Sequence, residues 1–321
     1  MGSEMCIRDS PRTERRRFAM LEPVRSIDRV CDVQWVRGAD ADPAASPDLL
    51  LEAPHGATLA RHFDEVRGEL QDDYDDGLRD FFFVNTDVGS AELAVAIARG
   101  VVAAQPQRTA LVVRCELPRT FCDTNRVIER DAVGVATEPG EMTPGLPPWI
   151  RRPEDRALLL ERYFAYRDVV DAAFERVCGA GGDALCVHTY APRSLSVAVD
   201  DDIGRTLRAA YAPDKVETWP LRPQVDLITH DDDGEELAHP ALAREAERRF
   251  AAHGFQAVRN DTYKLHPSTL AFAFARRFPA RTLCFEVRRD LLLEEFVPFV
   301  ELSPRAELVE RAAAPMVEAL V

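Results

Sequence analysis

Short apolar runs alternate along this chain with longer segments that have helical periodicity. The apolar runs predict β-strands at residues 48–53, 110–114, 183–190, 225–229, 255–259 and 282–287. The periodic segments predict helices at residues 89–105, 157–178, 240–253, 268–278 and 304–321. Strands and helices that alternate in this way favour an α/β fold, with a mixed, mostly parallel sheet flanked by helices on both faces.

The remaining segments give weaker patterns. Residues 62–80 are acidic and predict a surface helix or loop, and the apolar residues 81–85 predict a short strand or a buried turn. Residues 137–155 contain five prolines and predict an irregular loop, long enough to serve as a lid. Because the polar positions described below lie on both sides of this loop, we expect residues 21–321 to form a single catalytic domain. Residues 1–20 are expected to be a non-native or disordered arm, since MGSEMCIRDS resembles translated adapter sequence.

Composition excludes several classes of partner. A net charge of −15 makes binding to nucleic-acid phosphates unfavourable. No apolar run approaches the roughly 20 residues that a membrane span requires, and the N-terminal residues lack the apolar region of a signal peptide. The seven cysteines contain no C-x-x-C pair, which is typical of a protein from a reducing cytoplasm.

Polar residues interrupt or follow four of the predicted strands. His55 follows the first, the segment around Asp123 follows the second, His188 lies in the third, and Glu286 lies in the last. Because the carboxyl ends of parallel strands meet at one edge of a sheet, we expect these residues to form one site. A buried strand also rarely contains Glu unless the charge is paired or used, and Arg288 or Arg119 could pair with Glu286.

The residue types suggest a metal-dependent hydrolase. His55, His188 and Asp87 would form a two-histidine, one-carboxylate zinc set with a position left for water. Asp87 could instead be a helix cap, and Glu65 in the string His62-Phe63-Asp64-Glu65 is the rival third ligand. Glu286 is the candidate general base and acid.

The segment after the second strand supplies groups that can bind oxygen anions. Arg119 could polarise a substrate carbonyl, and Asn125 with Arg126 could bind a substrate carboxylate. A structural ion pair between one of these arginines and Asp123 is the alternative.

Six segments carry a resemblance to a known family: Pro54-His55-Gly56, Asp87-Val-Gly-Ser-Ala-Glu-Leu-Ala, Arg119 to Arg126, His188-Thr-Tyr, Asn260-Asp-Thr-Tyr263-Lys264 and Phe285-Glu286-Val287-Arg288-Arg289. In this order they are similar to motifs of the N-formylglutamate amidohydrolase family, which is distantly similar to zinc carboxypeptidases and aspartoacylase-like deacylases. The Ser that follows His in the family's Pro-His-Ser-Gly motif is missing here. The Pro and Gly of the family's Asn-x-Pro-Tyr-x-Gly motif are absent from the segment around Tyr263.

The resemblance implies a fold like that of zinc carboxypeptidases and a hydrolytic function. It implies a zinc-dependent hydrolase that cleaves the linear amide of an N-acyl amino acid, for example an N-formyl amino acid, or of a short peptide. Tyr263 is then a substrate-binding residue, and a run similar to that around Glu286 holds the catalytic Glu of zinc carboxypeptidases. A carboxypeptidase-like peptidase and a non-catalytic binding or assembly protein remain the alternatives.

Overall fold

A seven-stranded sheet forms the centre of the computed structural model, which describes residues 24–130 and 144–321. The predicted arm (residues 1–20) and part of the proline-rich loop therefore lie outside the described residues. The strands are β1 (Cys31–Arg37), β2 (Leu49–Ala53), β3 (Thr109–Cys115), β4 (Asp183–Tyr190), β5 (Val225–Ile228), β6 (Ala257–Arg259) and β7 (Thr282–Arg288).

The sheet is mixed, and its central part is parallel. The strand order is β1-β3-β2-β4-β7-β5-β6. Strands β3, β2, β4 and β7 run parallel to one another, whereas β1 pairs antiparallel with β3 and β5 pairs antiparallel with β7. The prediction of a mostly parallel sheet is confirmed, and the four parallel strands have their carboxyl ends at one edge.

Helices cover both faces, as predicted. The helices are α1 (Ala60–Arg67), α2 (Gly77–Asn85), α3 (Ser90–Ala104), α4 (Pro153–Val177), α5 (Ile203–Ala210), α6 (Pro213–Val216), α7 (Pro240–Ala252), α8 (Leu270–Arg277) and α9 (Ala306–Leu320). One apolar core joins α3, α7 and α9 to the sheet, and a second joins α4 and α8 to its other face. The near-continuous apolar composition of the central strands follows from this double coverage.

A third apolar cluster lies outside the two sheet cores. It is formed by α1, α2, α5 and the first half of α4, and it includes Phe82, Phe121 and Tyr163. This cluster supports the loops that follow the strands, where the polar residues are found.

Several predicted elements differ from the structure. Residues 81–85 are the end of helix α2 and not a strand or turn, because the apolar residues there pack into the third cluster on a helical face. Residues 62–80 are the end of α1, a loop and the start of α2. Acidic residues such as Asp64 and Glu65 are exposed, as predicted for a surface segment, but Phe63, Val66 and Leu78 are buried in the same cluster. The proline-rich loop is shorter than predicted, because Pro153 begins α4; proline is favourable in the first turn of a helix.

One stretch is more apolar than we expected from the sequence. Residues 77–104, which contain α2 and α3, are long and apolar enough to cross a membrane by length and composition. However, 78% of the most apolar window is buried inside the protein. This burial is typical of core helices.

Candidate metal centre and active site

The predicted site residues meet at the carboxyl edge of the parallel strands. His55 lies in the turn after β2, and His188 and Glu286 lie near the ends of β4 and β7. Residues 188 and 286 are direct partners in the register of these two strands, so their side chains project from the same face. Asp87 joins them from the loop between α2 and α3.

His55, Asp87 and His188 form a compact buried cluster. Their ligand atoms all lie within 4.8 Å of one another. Nδ1 of His55 is 3.3 Å and Nδ1 of His188 is 3.1 Å from the same oxygen, Asp87 Oδ2. The two imidazole rings are in edge contact, with centroids 5.2 Å apart.

Two further charged residues hold this cluster from opposite sides. Asp123 Oδ1 lies 2.8 Å from Nε2 of His55, the ring nitrogen that faces away from Asp87. Arg289 lies 3.4 Å from the other oxygen of Asp87, and it also donates hydrogen bonds to the carbonyl oxygens of Val84 and Thr189. A carboxylate on the second nitrogen of a histidine is the usual outer partner of a metal-ligating imidazole.

The electrostatics of the cluster favour charged carboxylates. Burial opposes ionisation of Asp87, but His55 and His188 outweigh it and hold the pKa of Asp87 well below its usual range. Burial also opposes ionisation of Asp123, yet Arg119, Arg126 and His55 lower its pKa well below the usual range. Burial and Arg119 lower the pKa of His55, whereas Asp123 and Asp87 raise it and prevail.

These residues fit a bound Zn²⁺ ion. Two imidazole nitrogens and a carboxylate oxygen that share one small buried volume are the donor types that zinc prefers. One buried oxygen of Asp87 faces both imidazole rings, so the three side chains already converge on one point. Glu65 is exposed on α1 and lies apart from this cluster, so the structure brings Asp87, and not Glu65, to the two histidines.

Glu286 is buried beside the cluster, and its pKa is shifted in the opposite direction from the pKa values of Asp87 and Asp123. Its Oε2 atom is buried without a hydrogen-bond partner in the described chain. Burial raises the pKa of Glu286 to about 7; the Asp87 carboxylate adds to the rise and His188 opposes it. The alternative of an ion pair with Arg288 is wrong, because Arg288 binds Asp290 at 2.8 Å.

Arg119, Asn125 and Arg126 line the same pocket as the histidines. Arg119 Nε donates to Asp123 at 3.0 Å, and Arg126 lies 3.8 Å from the same Asp123 oxygen. The ion pairs that the sequence suggested as an alternative are thus present, and they position both guanidinium groups. The side-chain oxygen of Asn125 accepts the backbone N–H of Ala271, which leaves its NH₂ group as the donor available to a ligand.

Tyr263 reaches the pocket from the loop after β6. It is 40% exposed, and its hydroxyl oxygen accepts a hydrogen bond of 3.2 Å from Arg222. The loop is held by Asp226 on β5, which accepts the backbone N–H groups of residues 261–263.

The pocket has a volume of about 240 Å³ and contains all eight predicted site residues. Several buried polar atoms on its wall lack a hydrogen-bond partner within the described ranges: His188 Nε2, Glu286 Oε2, Asn85 Nδ2, Tyr211 Oη, Arg222 Nε and Arg289 Nε. Buried polar groups are nearly always paired, so these atoms indicate a place for water or a polar ligand.

Sequence reasoning missed the roles of Asp123, Arg222 and Arg289. Asp123 is expected in the site as part of the segment after the second strand, but the sequence indicates no role for it beyond an ion pair with an arginine. Arg289 was part of a recognised segment, but nothing local indicates that it reaches Asp87. Arg222 lies in an irregular segment without a pattern that marks it.

The chain is similar to a known protein family and to solved structures of bacterial proteins. A model of the N-formylglutamate amidohydrolase family matches residues 48–293. The structure is similar to that of N-formylglutamate amidohydrolase from Ralstonia eutropha JMP134, with 17% identity, a TM-score of 0.54, and coverage of 89% of this chain and 96% of that one. It is also similar to a gene product of Agrobacterium tumefaciens, with 17% identity, a TM-score of 0.53, and coverage of 91% and 93%. No sequence among curated proteins matches.

Proposed function

This chain belongs to the N-formylglutamate amidohydrolase family, and from that premise we propose that it is a zinc-dependent hydrolase of N-acyl amino acids. The family and its structural relatives are enzymes that act on linear amides. The observation that carries the zinc dependence is the buried cluster of His55, Asp87 and His188 next to Glu286. We assign the two histidines and Asp87 as the metal ligands.

The pocket residues then have distinct tasks. A bound zinc ion lowers the pKa of a water molecule and polarises a carbonyl group. Glu286 accepts a proton from the attacking water on its carboxylate and delivers it to the nitrogen of the departing amine. Arg119 donates to the carbonyl oxygen as negative charge develops there.

The substrate is held on the Asp123 side of the cluster. Arg126 and the NH₂ group of Asn125 bind the α-carboxylate of the amino acid, since a guanidinium fork matches a carboxylate in geometry. Tyr263, whose hydroxyl accepts a hydrogen bond from Arg222, lines the same pocket and contacts the bound amino acid. Asp123 fixes the tautomer and orientation of His55.

The substrate is a small molecule, as the size of the pocket and the family both support. N-formylglutamate is the compound named for the family and for its Ralstonia eutropha relative. The six cysteines in the described part of the chain are all buried free thiols, which is consistent with our proposal that the protein is cytoplasmic.

The test combines metal content with activity. The full chain, purified and loaded with ZnSO₄, should contain about one zinc ion per chain by mass spectrometry and should hydrolyse N-formyl-L-glutamate. A chelator should abolish the activity, and added Zn²⁺ should restore it. His188→Ala should lose the zinc itself, whereas His266→Ala, a histidine outside the cluster, should retain it. A protein that folds, binds no metal and hydrolyses no acyl-amino acid or peptide would be a binding protein, and our proposal would fail.

A peptidase is the second enzymatic candidate. Short peptides with a free carboxyl terminus present the same α-carboxylate to Arg126 and Asn125. Parallel assays of N-acyl amino acids and dipeptides decide between the two. Peptide cleavage at a higher kcat/KM than that of any acyl-amino acid would reassign the enzyme.

A further inference from the structure

The pocket has an apolar lobe that a formyl substrate would leave empty. The lobe is lined by Phe81, Leu195, Val197, Val199, Ile203 and Leu207. Phe81 belongs to α2, Ile203 and Leu207 belong to α5, and the other three belong to the segment that connects β4 to α5.

This connecting segment, residues 191–202, which we call the strap, has a two-residue periodicity. Leu195, Val197 and Val199 are half-buried and line the pocket, while Ser196 and Ala198 between them are exposed. An extended chain turns alternate side chains to opposite sides, so one side of the strap forms an apolar wall. The start of the strap is held in place by a hydrogen bond from Ser194 N–H to the carbonyl oxygen of Pro220.

The lobe and the proposed α-carboxylate site, Arg126 and Asn125, are linked by contacts to different residues of the metal-binding cluster. Arg126 and the backbone N–H of Asn125 contact Asp123, which binds Nε2 of His55. Asp87 contacts the other ring nitrogen of His55, Nδ1, and accepts a hydrogen bond from Arg289. Arg289 in turn contacts the carbonyl oxygen of Val84 in α2, the helix that contributes Phe81 to the lobe.

This arrangement decides which part of a substrate reaches the lobe. In an N-acyl amino acid, the α-carboxylate and the side chain belong to the amine half of the molecule, and the acyl group lies across the scissile bond. Because Arg126 and the apolar residues of α2 and the strap line one pocket, a substrate whose α-carboxylate binds Arg126 can direct its acyl group toward the lobe.

We infer that the lobe binds the acyl group and that the enzyme prefers apolar acyl chains longer than formyl, an inference that rests on the proposed hydrolase function. A formyl group has no carbon beyond the carbonyl and cannot occupy the lobe. Each methylene that is buried against an apolar wall contributes roughly fourfold to kcat/KM. Asn85 Nδ2 and Tyr211 Oη on the pocket wall lack partners in the described part of the chain and remain available to water or to polar atoms of a ligand.

The test is a matched series of substrates with the zinc-loaded full chain. N-formyl-, N-acetyl-, N-butyryl- and N-hexanoyl-L-glutamate are compared, and the series is repeated on L-leucine. We expect kcat/KM to rise along the series, by at least about tenfold between the formyl and hexanoyl compounds. This comparison uses the wild-type protein and does not depend on the folding of any variant.

Two variants locate the effect in the strap. Val197→Asp places a charge on the pocket side, and Ala198→Asp places the same charge on the exposed side. Val197→Asp should lower the hexanoyl-to-formyl ratio of kcat/KM by about tenfold or more, because a charge beside an apolar acyl chain is unfavourable. Ala198→Asp should leave the ratio at its wild-type value.

The outcomes separate this inference from the proposed function. If the formyl compounds are hydrolysed at least as well as every longer acyl compound, the inference is wrong and the hydrolase proposal stands. If both aspartate variants lower the ratio equally, the strap does not line the acyl site and the inference is wrong. If no compound in either series is hydrolysed, the proposed function falls and the inference falls with it.

Discussion

Two buried carboxylates in neighbouring strands of the sheet differ in the hydrogen bonds that they receive. Glu286 in β7 and Asp226 in β5 are direct partners in the strand register, and both are shielded from solvent. Burial raises the pKa of each. Asp226 accepts three backbone N–H groups from residues 261–263, whereas Glu286 keeps one oxygen without a partner in the described part of the chain.

Hydrogen bonding, and not burial, distinguishes the two carboxylates, and this difference is the reason that we propose an acid–base role for Glu286 and not for Asp226. Asp226 is satisfied by the loop that carries Tyr263 and therefore organises the pocket from outside. The free oxygen of Glu286 is on the pocket wall, where it can take and return a proton. Glu52 on the same sheet resembles Asp226, since it is bound by the Tyr166 hydroxyl at 2.8 Å.

The strongest test of the comparison is Glu286→Gln. The amide keeps the shape of the side chain and removes the proton acceptor, so kcat should fall by about 10²- to 10⁴-fold. Zinc content should remain that of the wild type, and the melting temperature should not decrease, because a buried unpaired carboxylate is removed. Steady-state kinetics measure kcat, metal analysis measures the zinc content, and thermal unfolding measures the melting temperature. Near-normal turnover with bound zinc would place Glu286 with Asp226 as a structural residue.

Arg126→Ala tests the opposite end of the pocket. Loss of a charged hydrogen bond of about 1.5–3 kcal/mol should raise KM by roughly 10- to 100-fold for a substrate with a free α-carboxylate. The corresponding α-amide should be affected far less. The control is Arg130→Ala, which removes an exposed arginine that pairs with Asp168. Equal losses for the acid and the amide would assign Arg126 to the scaffold around Asp123.

Asp226→Asn makes the same acid-to-amide change one strand away from Glu286. It weakens the acceptor of three backbone N–H groups, which should cost about 1–3 kcal/mol of unfolding free energy. A chain of this size should then melt a few degrees lower, roughly 2–4 °C per kcal/mol. KM should rise because Tyr263 is less well held, while kcat changes only a little. A hundredfold loss of kcat without a loss of stability would reverse the assignment of the two carboxylates.

The smallest expected effect is on the pH profile. Glu286 is active as a base only when ionised, and its pKa is raised to about 7, so kcat/KM should increase with pH through an acid limb. A bound zinc ion is a nearby positive charge and moves this limb to lower pH, so the limb lies at or below about 7. The Asp226→Asn variant should show the same acid limb in its pH profile of kcat/KM. The profile is measured with a substrate that does not titrate in this range. If the acid limb disappears in this variant, Asp226 and not Glu286 is the titrating group.

The local pattern was enough to predict the strands that form the site. The apolar runs that end at Ala53 and Tyr190, and the run that contains Glu286, are strands in the structure. The local pattern was insufficient where the packing partner was distant in sequence. The apolar run at residues 81–85 becomes helix α2 because it packs against residues of α4 and α5, which no local window contains.

The sequence alone determined that two histidines, Glu286 and the segment around Asp123 lie at one site, but it did not mark Arg222 or Arg289. Apolar runs that stop at His55, His188 and Glu286 identify strand ends, and parallel strands place such ends at one edge. Only the tertiary structure decided what each group does there. It selected Asp87 over Glu65, placed Asp123 and Arg289 on opposite sides of the cluster, and satisfied Asp226 while leaving Glu286 free. The reason is that strand patterns depend on residues a few positions apart, whereas pKa values and unpaired atoms depend on contacts between segments distant in sequence. His55 and His188, more than a hundred residues apart, meet on one oxygen of Asp87.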